Sequence, residues 1–448
     1  MYYLKLTLIL IITIVFTQSL QTASQKPTVS SYTYNQTVCQ VTSSLNPLNH
    51  QCQVRKEGFE SINYHINGFS QEGEWLPKTS KEEMLSWIVD AREAFNRLGI
   101  GTQEKSITIQ LHKDLDAPGL VHVSGRDSII EDGQTLHLIS GNRLKAEMKV
   151  TTIHEYFHHA QVKTLLEEEG ENFILPHGIF SKADSKNFYN IRWLLEGTAL
   201  WFEDYLYDDI NSYKDYYAYK IPSSLSKGLT NNTYESFLLF KLFSSRCQTF
   251  DAHLKNLFYP TTTQKDDPYR VKNLERVLRE SECSFENYLT VSDSTLLEKA
   301  FADYTYTTLL EQNLTKIESD EKSDVHFPML FSFDRDKISR IKKVYSTLPL
   351  YSVKSFQINN PNREEEKSSF KLTIKTDNPL LLLVVSIPTD GSKERESFSF
   401  RTESGKLSHY SFQPKERTDR VSIHLINATE REVHLNDFNL ISDSSAQI

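Results

Sequence analysis

Two histidines four residues apart bracket a glutamate in the segment Ile153–His154–Glu155–Tyr156–Phe157–His158–His159–Ala160–Gln161. On a helix, His154 and His158 project from one face a turn apart, and two neutral imidazoles so placed can share one zinc ion. Glu155 lies about 100° around the helix from His154. It can therefore reach a metal-activated water and take its proton without itself being a ligand. Zinc that does chemistry keeps one position open, so a third protein ligand is needed. Glu196 is the candidate, in Trp193–Leu194–Leu195–Glu196–Gly197–Thr198–Ala199–Leu200–Trp201–Phe202–Glu203–Asp204. A carboxylate among large apolar side chains is costly to bury unless something compensates it, and a metal would. Gly197 and Ala199 would let this helix approach the first one closely. Two other histidines are weaker ligand candidates. His177 falls in Leu175–Pro176–His177–Gly178, which reads as a loop. His159 follows His158 directly and so points elsewhere, to solvent or a supporting position.

These side chains need two helices and a scaffold. A first helix is expected from Ser80, where Ser80 and Glu83 form a capping box. Met84, Trp87, Ile88, Ala91 and Phe95 recur at helical spacing, and Gly99 and Gly101 end the helix. Strand-like runs follow at Ser106–Leu111, Leu120–Ser124 and Thr135–Ile139, then a helix over about 143–166 that carries the histidines. From Asn190 to about Asn313 the pattern is mainly helical, with segments at 192–207, 234–245, 271–279 and 296–312. After about Val325, alternating runs such as Phe370–Thr376 (FKLTIKT) and Val421–Ile426 (VSIHLI), separated by turn residues, predict a β-sandwich. Residues 25–74, rich in Ser, Thr, Gln and Asn, read as a loosely structured leader. The fold class expected is α+β.

HEYFHHAQ followed by WLLEGTALW resembles the gluzincin group of metallopeptidases, which includes thermolysin and the zinc aminopeptidases; the likeness covers about Ser106 to Ser245. It implies His154, His158 and Glu196 as zinc ligands and Glu155 as the general base. It also implies that the strand before the active helix, here Thr135–Ile139, lines the cleft and holds extended substrate. A Tyr or His donor from the helical half for the developing oxyanion is implied as well, and Tyr234 is taken as the candidate. Two departures stand out. The interval between His158 and Glu196 is 37 residues, longer than usual in the group, so residues 169–190 are expected to loop near the cleft. Leu200 also replaces the acid that thermolysin-like members carry one turn after the glutamate, leaving Glu203 as a supporting acid. The resulting expectation is a zincin-like catalytic domain over 75–324, with a small mixed sheet, active-site helices and a helical second half. An all-β sandwich over 325–448 follows it.

A net charge of −9 and the absence of a long basic run argue against a nucleic-acid partner. Lys5, the apolar run Leu6–Phe16 and the small residues at 19–24 read as an export signal over 1–24, leaving no membrane span after its removal. Four cysteines, Cys39 with Cys52 and Cys247 with Cys283, fit two disulfides in an exported chain, near-neighbour pairing being one of three connectivities. Sequons at Asn35, Asn231, Asn313 and Asn427 are compatible with glycosylation. The leading expectation is a zinc metallopeptidase, secreted or at the cell surface (extracellular or periplasmic), acting on a protein or peptide substrate. The alternative is an exported adhesin or binding protein on an inactive zincin scaffold, its sandwich holding a glycan or protein ligand.

Overall fold

The computed structural model describes residues 28–34, 37–43, 49–56, 59–66, 81–100, 106–112, 119–122, 135–139, 145–169, 182–210, 227–231, 234–259, 267, 269–286, 288–306, 331–334, 346–359, 369–388, 396–414 and 418–442. The export signal, the Ser80 cap and His177 lie outside them. They fall into two compact units, Met1–Tyr189 with Leu206–Ile210, and Asn190–Tyr205 with Asn211–Ile448.

In the first unit, β1 (Thr28–Tyr34), β2 (Thr37–Ser43), β3 (Asn49–Lys56) and β4 (Phe59–Ile66) form an antiparallel meander. These four strands fall within the 25–74 segment expected to be a loosely structured leader. Each of the four segments contains at least one β-branched residue, and such residues favour a pleated chain. The register sets Cys39 opposite Cys52. α1 (Lys81–Leu98) buries Met84, Trp87, Ile88, Ala91 and Phe95, as their spacing predicts. It ends at Gly99 with φ 69°, where Ile100 N–H donates to Phe95 O at 2.9 Å. This left-handed cap suits glycine, which has no Cβ to clash.

Three further strands complete the sheet: β5 (Ser106–His112), β6 (Gly119–His122) and β7 (Thr135–Ile139). Its order is β1-β2-β3-β4-β5-β7-β6, with β4, β5 and β7 parallel and β6 antiparallel to β7. The sheet is thus mixed, but larger than expected. α2 (Lys145–Glu169) packs on α1, β6 and β7. Tyr156 and Phe157 meet Phe95 at ring distances of 5.0 and 5.7 Å. Burying each such ring contributes about 1.5–3 kcal/mol. Thr152 and Thr164, both buried, donate their hydroxyls to the carbonyls of Met148 and Ala160 one turn back.

α3 (Lys182–Leu206) starts earlier than expected, so the interval after the histidines is partly helical. In the second unit its later turns join α4 (Phe237–Arg246), a short helical stretch at Phe250–Leu257, α5 (Val271–Glu280) and α6 (Leu296–Tyr306). Asp267 accepts from the N–H groups of Val271 and Asn273, both at 2.9 Å, and so caps α5. A disulfide joins Cys247 to Cys283, the residues just past α4 and α5. Closing that loop contributes about 4 kcal/mol in the chain-entropy model.

The remaining strands are β8 (Phe331–Asp334), β9 (Ser346–Leu348), β10 (Ser352–Asn359), β11 (Phe370–Thr376), β12 (Leu381–Pro388), β13 (Glu396–Arg401), β14 (Leu407–Phe412), β15 (Thr418–Asn427) and β16 (Val433–Ser442). They form two sheets, β13-β12-β15-β10-β8 and β14-β11-β16-β9. Phe356, Leu382, Val384 and Ile423 of the first meet Phe370, Leu372, Phe438 and Leu440 of the second in one apolar core, the sandwich expected from the alternating runs. β12 instead buries Leu381 to Val385 without alternation, the pattern of a strand covered on both faces. The 288–306 segment meets this sheet. Arg401 donates two hydrogen bonds to Glu298 at 2.7 and 2.8 Å, and Thr290 N–H donates to Ser399 Oγ at 2.6 Å. These helices and the sandwich fall within the same compact unit. Asn427 is buried and its amide donates to the carbonyls of Leu348, Pro349 and Arg431. Its sequon is thus closed in the folded chain. Among the described residues, no helix is long and apolar enough to cross a membrane.

Candidate metal centre

α2 carries the two histidines on one face. Their rings stand edge to face with centroids 4.6 Å apart, the geometry that four-residue spacing imposes. His154 and Glu155 are buried and His158 is half-buried. Gln161, one turn on and fully buried, accepts from His158 Nδ1–H at 2.7 Å. His159 is fully buried, not exposed, its ring nearly parallel to that of Tyr156. That removes the solvent reading and leaves a supporting one.

Glu196, half-buried in α3, is the third residue of the group and could serve as the third donor. One ligand atom from each of His154, His158 and Glu196 lies within 4.8 Å of the other two. Among the described residues this is the one group of three or more His, Cys, Asp or Glu side chains so gathered. Two imidazoles and one carboxylate suit a borderline-soft divalent cation, and three protein ligands leave a coordination position open. The donor set fits zinc.

Other residues of α3 surround Glu196. Arg192, four residues earlier, holds Nε 3.5 Å from Glu196 Oε1. Glu203 is buried, and Asp204 pairs with Lys241 at 2.8 Å, so neither acid points into water as on an ordinary amphipathic helix. The close approach that Gly197 permits is to Ser236 and Phe240, both in the second unit. A Cβ built on Gly197 would stand 2.0 Å from Ser236 Oγ and 2.8 Å from Phe240 Cε2. Ser236 Oγ–H donates to Trp193 O at 2.5 Å, and the Phe240 ring stacks on Trp193 at 5.9 Å. The 3-10 turn Tyr234–Ser236 is thereby docked against the turns of α3 on either side of Glu196, and Tyr234, half-buried, opens it.

Thr135–Ile139 is not a sheet edge. β7 is bonded by β5 on one side and β6 on the other, and β6 takes the terminal place. An extended chain adding to this end of the sheet would pair with β6. Gln161 and Arg192 escaped the sequence reading. The signal available was spacing: a polar side chain three residues after one ligand and a cation four residues before another.

No family model matches the chain, and no curated protein matches it. Among solved structures, BiXyn10A CBM1 in its apo form overlaps at TM-score 0.15 and 15% identity, covering 18% of this chain and 57% of that one. The chain thus spans little more than half of that relative. A structure titled for CBM4 overlaps at TM-score 0.17 and 12% identity, covering 24% and 82%. The CBM36-1 domain of a multidomain xylanase from the hindgut metagenome of Trinervitermes trinervoides overlaps at TM-score 0.15 and 10% identity, covering 23% and 90%.

Proposed function

We propose that this chain is a zinc-dependent metallopeptidase of gluzincin type, exported from the cell, with His154, His158 and Glu196 as metal ligands. The observation that carries this reading is the gathering of three ligand atoms within 4.8 Å, with a glutamate directly after the first histidine. A zinc ion held there would supply Lewis acidity, lowering the pKa of water and polarising a substrate carbonyl. Glu155 accepts a proton from the attacking water and hands it to the leaving amine. Its burial would strengthen its electrostatic coupling to a bound cation. Tyr234 is the proposed donor to the developing oxyanion, supported by the docking of its turn beside Glu196. Extended substrate pairs with the β6 edge, where main-chain hydrogen bonds supply affinity largely independent of sequence.

Purified wild type and Glu155→Gln, compared for zinc per chain and for cleavage of a denatured protein pool, test the assignment. One zinc in both, with cleavage lowered at least about 100-fold in the variant, is expected. Zinc in both with equal cleavage would remove Glu155 from the chemistry. Zinc without cleavage by either would favour a binding protein on an inactive scaffold.

A further inference from the structure

We infer that Gln161 is a positioning residue for the metal centre, fixing His158 as the tautomer whose lone pair for the cation lies on Nε2. This rests on the metal site proposed above and adds to it the group that prepares one ligand.

An amide oxygen only accepts, so the imidazole nitrogen facing it must carry the proton. With Nδ1 protonated toward Gln161 Oε1 at 2.7 Å, the lone pair of a neutral His158 resides on Nε2. The second imidazole nitrogen of a metal ligand is commonly held in this way, and the hydrogen bond fixes ring rotation as well as tautomer. Burial makes the arrangement firm. Gln161 has no exposed surface, and swinging its amide away would strand polar atoms in an apolar interior.

The spacing adds a consequence. Gln161 lies three residues after His158 on the same helix, so the pair forms as soon as α2 does. His158 thereby gains one orienting bond from within its own helix. A ligand restrained in advance loses less rotamer freedom on binding, so part of the affinity for zinc resides in Gln161.

The test uses the full chain and zinc alone, with affinity read by competition against a chromophoric chelator and folding followed by near-ultraviolet circular dichroism. Gln161→Met keeps length and bulk but removes the acceptor; about 10- to 100-fold weaker zinc binding is expected. Gln161→Glu restores an acceptor and should return affinity to within a few-fold of wild type. Native folding of Gln161→Met with unchanged zinc affinity would overturn the inference while leaving the metal site intact. Failure of wild type to bind zinc would instead overturn the proposed metal site, and the inference with it. Should a variant not fold, wild type answers alone: long-range proton–nitrogen spectra of the metal-free protein should show His158 protonated at Nδ1, and protonation at Nε2 would refute the assignment.

Discussion

Replacing Gly197 by alanine probes the packing that carries Glu196. On helix propensity alone the change should stabilise α3 by about 1 kcal/mol. The added Cβ, however, would stand 2.0 Å from Ser236 Oγ, 2.8 Å from Phe240 Cε2 and 3.0 Å from Ser236 Cβ. The ring edge can shift, but the serine is tied by its bond to Trp193 O. Overpacking of this kind costs about 1–3 kcal/mol, and losing the serine bond adds about 1 kcal/mol. Opposed by the propensity gain, these leave Gly197→Ala less stable by about 1–3 kcal/mol. Urea unfolding followed by tryptophan fluorescence reads this directly, since Trp193 and Trp201 lie on either side of the substitution. Gly197→Ala with Ser236→Ala should recover about 1 kcal/mol relative to the sum of the single changes, because the nearest clash has gone. A single variant as stable as wild type would refute the packing and, with it, the docking of the Tyr234 turn beside Glu196.

Two other perturbations reach the second unit. His424 is fully buried in β15, bonded through Nδ1 to Ser355 Oγ at 2.8 Å, and burial pushes its pKa down to about 3. The folded chain therefore keeps this ring neutral, while the unfolded chain protonates it near its ordinary value. Its contribution is complete above about pH 6.5 and falls by about 1.4 kcal/mol per pH unit below that, down to the folded pKa. Stability against pH should have a shallower acid slope in His424→Gln, and equal slopes would contradict the assignment. Glu298 caps α6 by accepting from Thr295 N–H while holding Arg401, so Glu298→Ala should cost about 3 kcal/mol by thermal or chemical unfolding. A loss under about 1 kcal/mol would show that the pair is screened as if exposed.

What the chain revealed in advance follows from how strongly each element is patterned. The i, i+4 histidines needed only helix geometry to share a face, and α2 supplies it. The sandwich was legible because β11 and β15 place apolar residues at every second position on one face. β1 and β2 were not, since Ser and Thr fall at both alternating positions of those segments, while β3 and β4 alternate only over short runs such as Cys52 and Val54 or Ile62, Tyr64 and Ile66. The nearest neighbours of Gly197 were not legible for a different reason. A small residue announces that something comes close but not what, and Ser236 lies 39 positions further on. The unbroken apolar run of β12 did carry information about double coverage, but a run alone does not name the covering element.

The most direct measurement is X-ray absorption at the zinc edge on the full-length chain loaded with one equivalent of zinc. Two imidazoles with oxygen donors, one imidazole being lost in His158→Ala, is the result expected of a site built from His154, His158 and Glu196. Sulfur among the donors, or a spectrum unchanged by His158→Ala, would place the metal elsewhere and contradict the central claim.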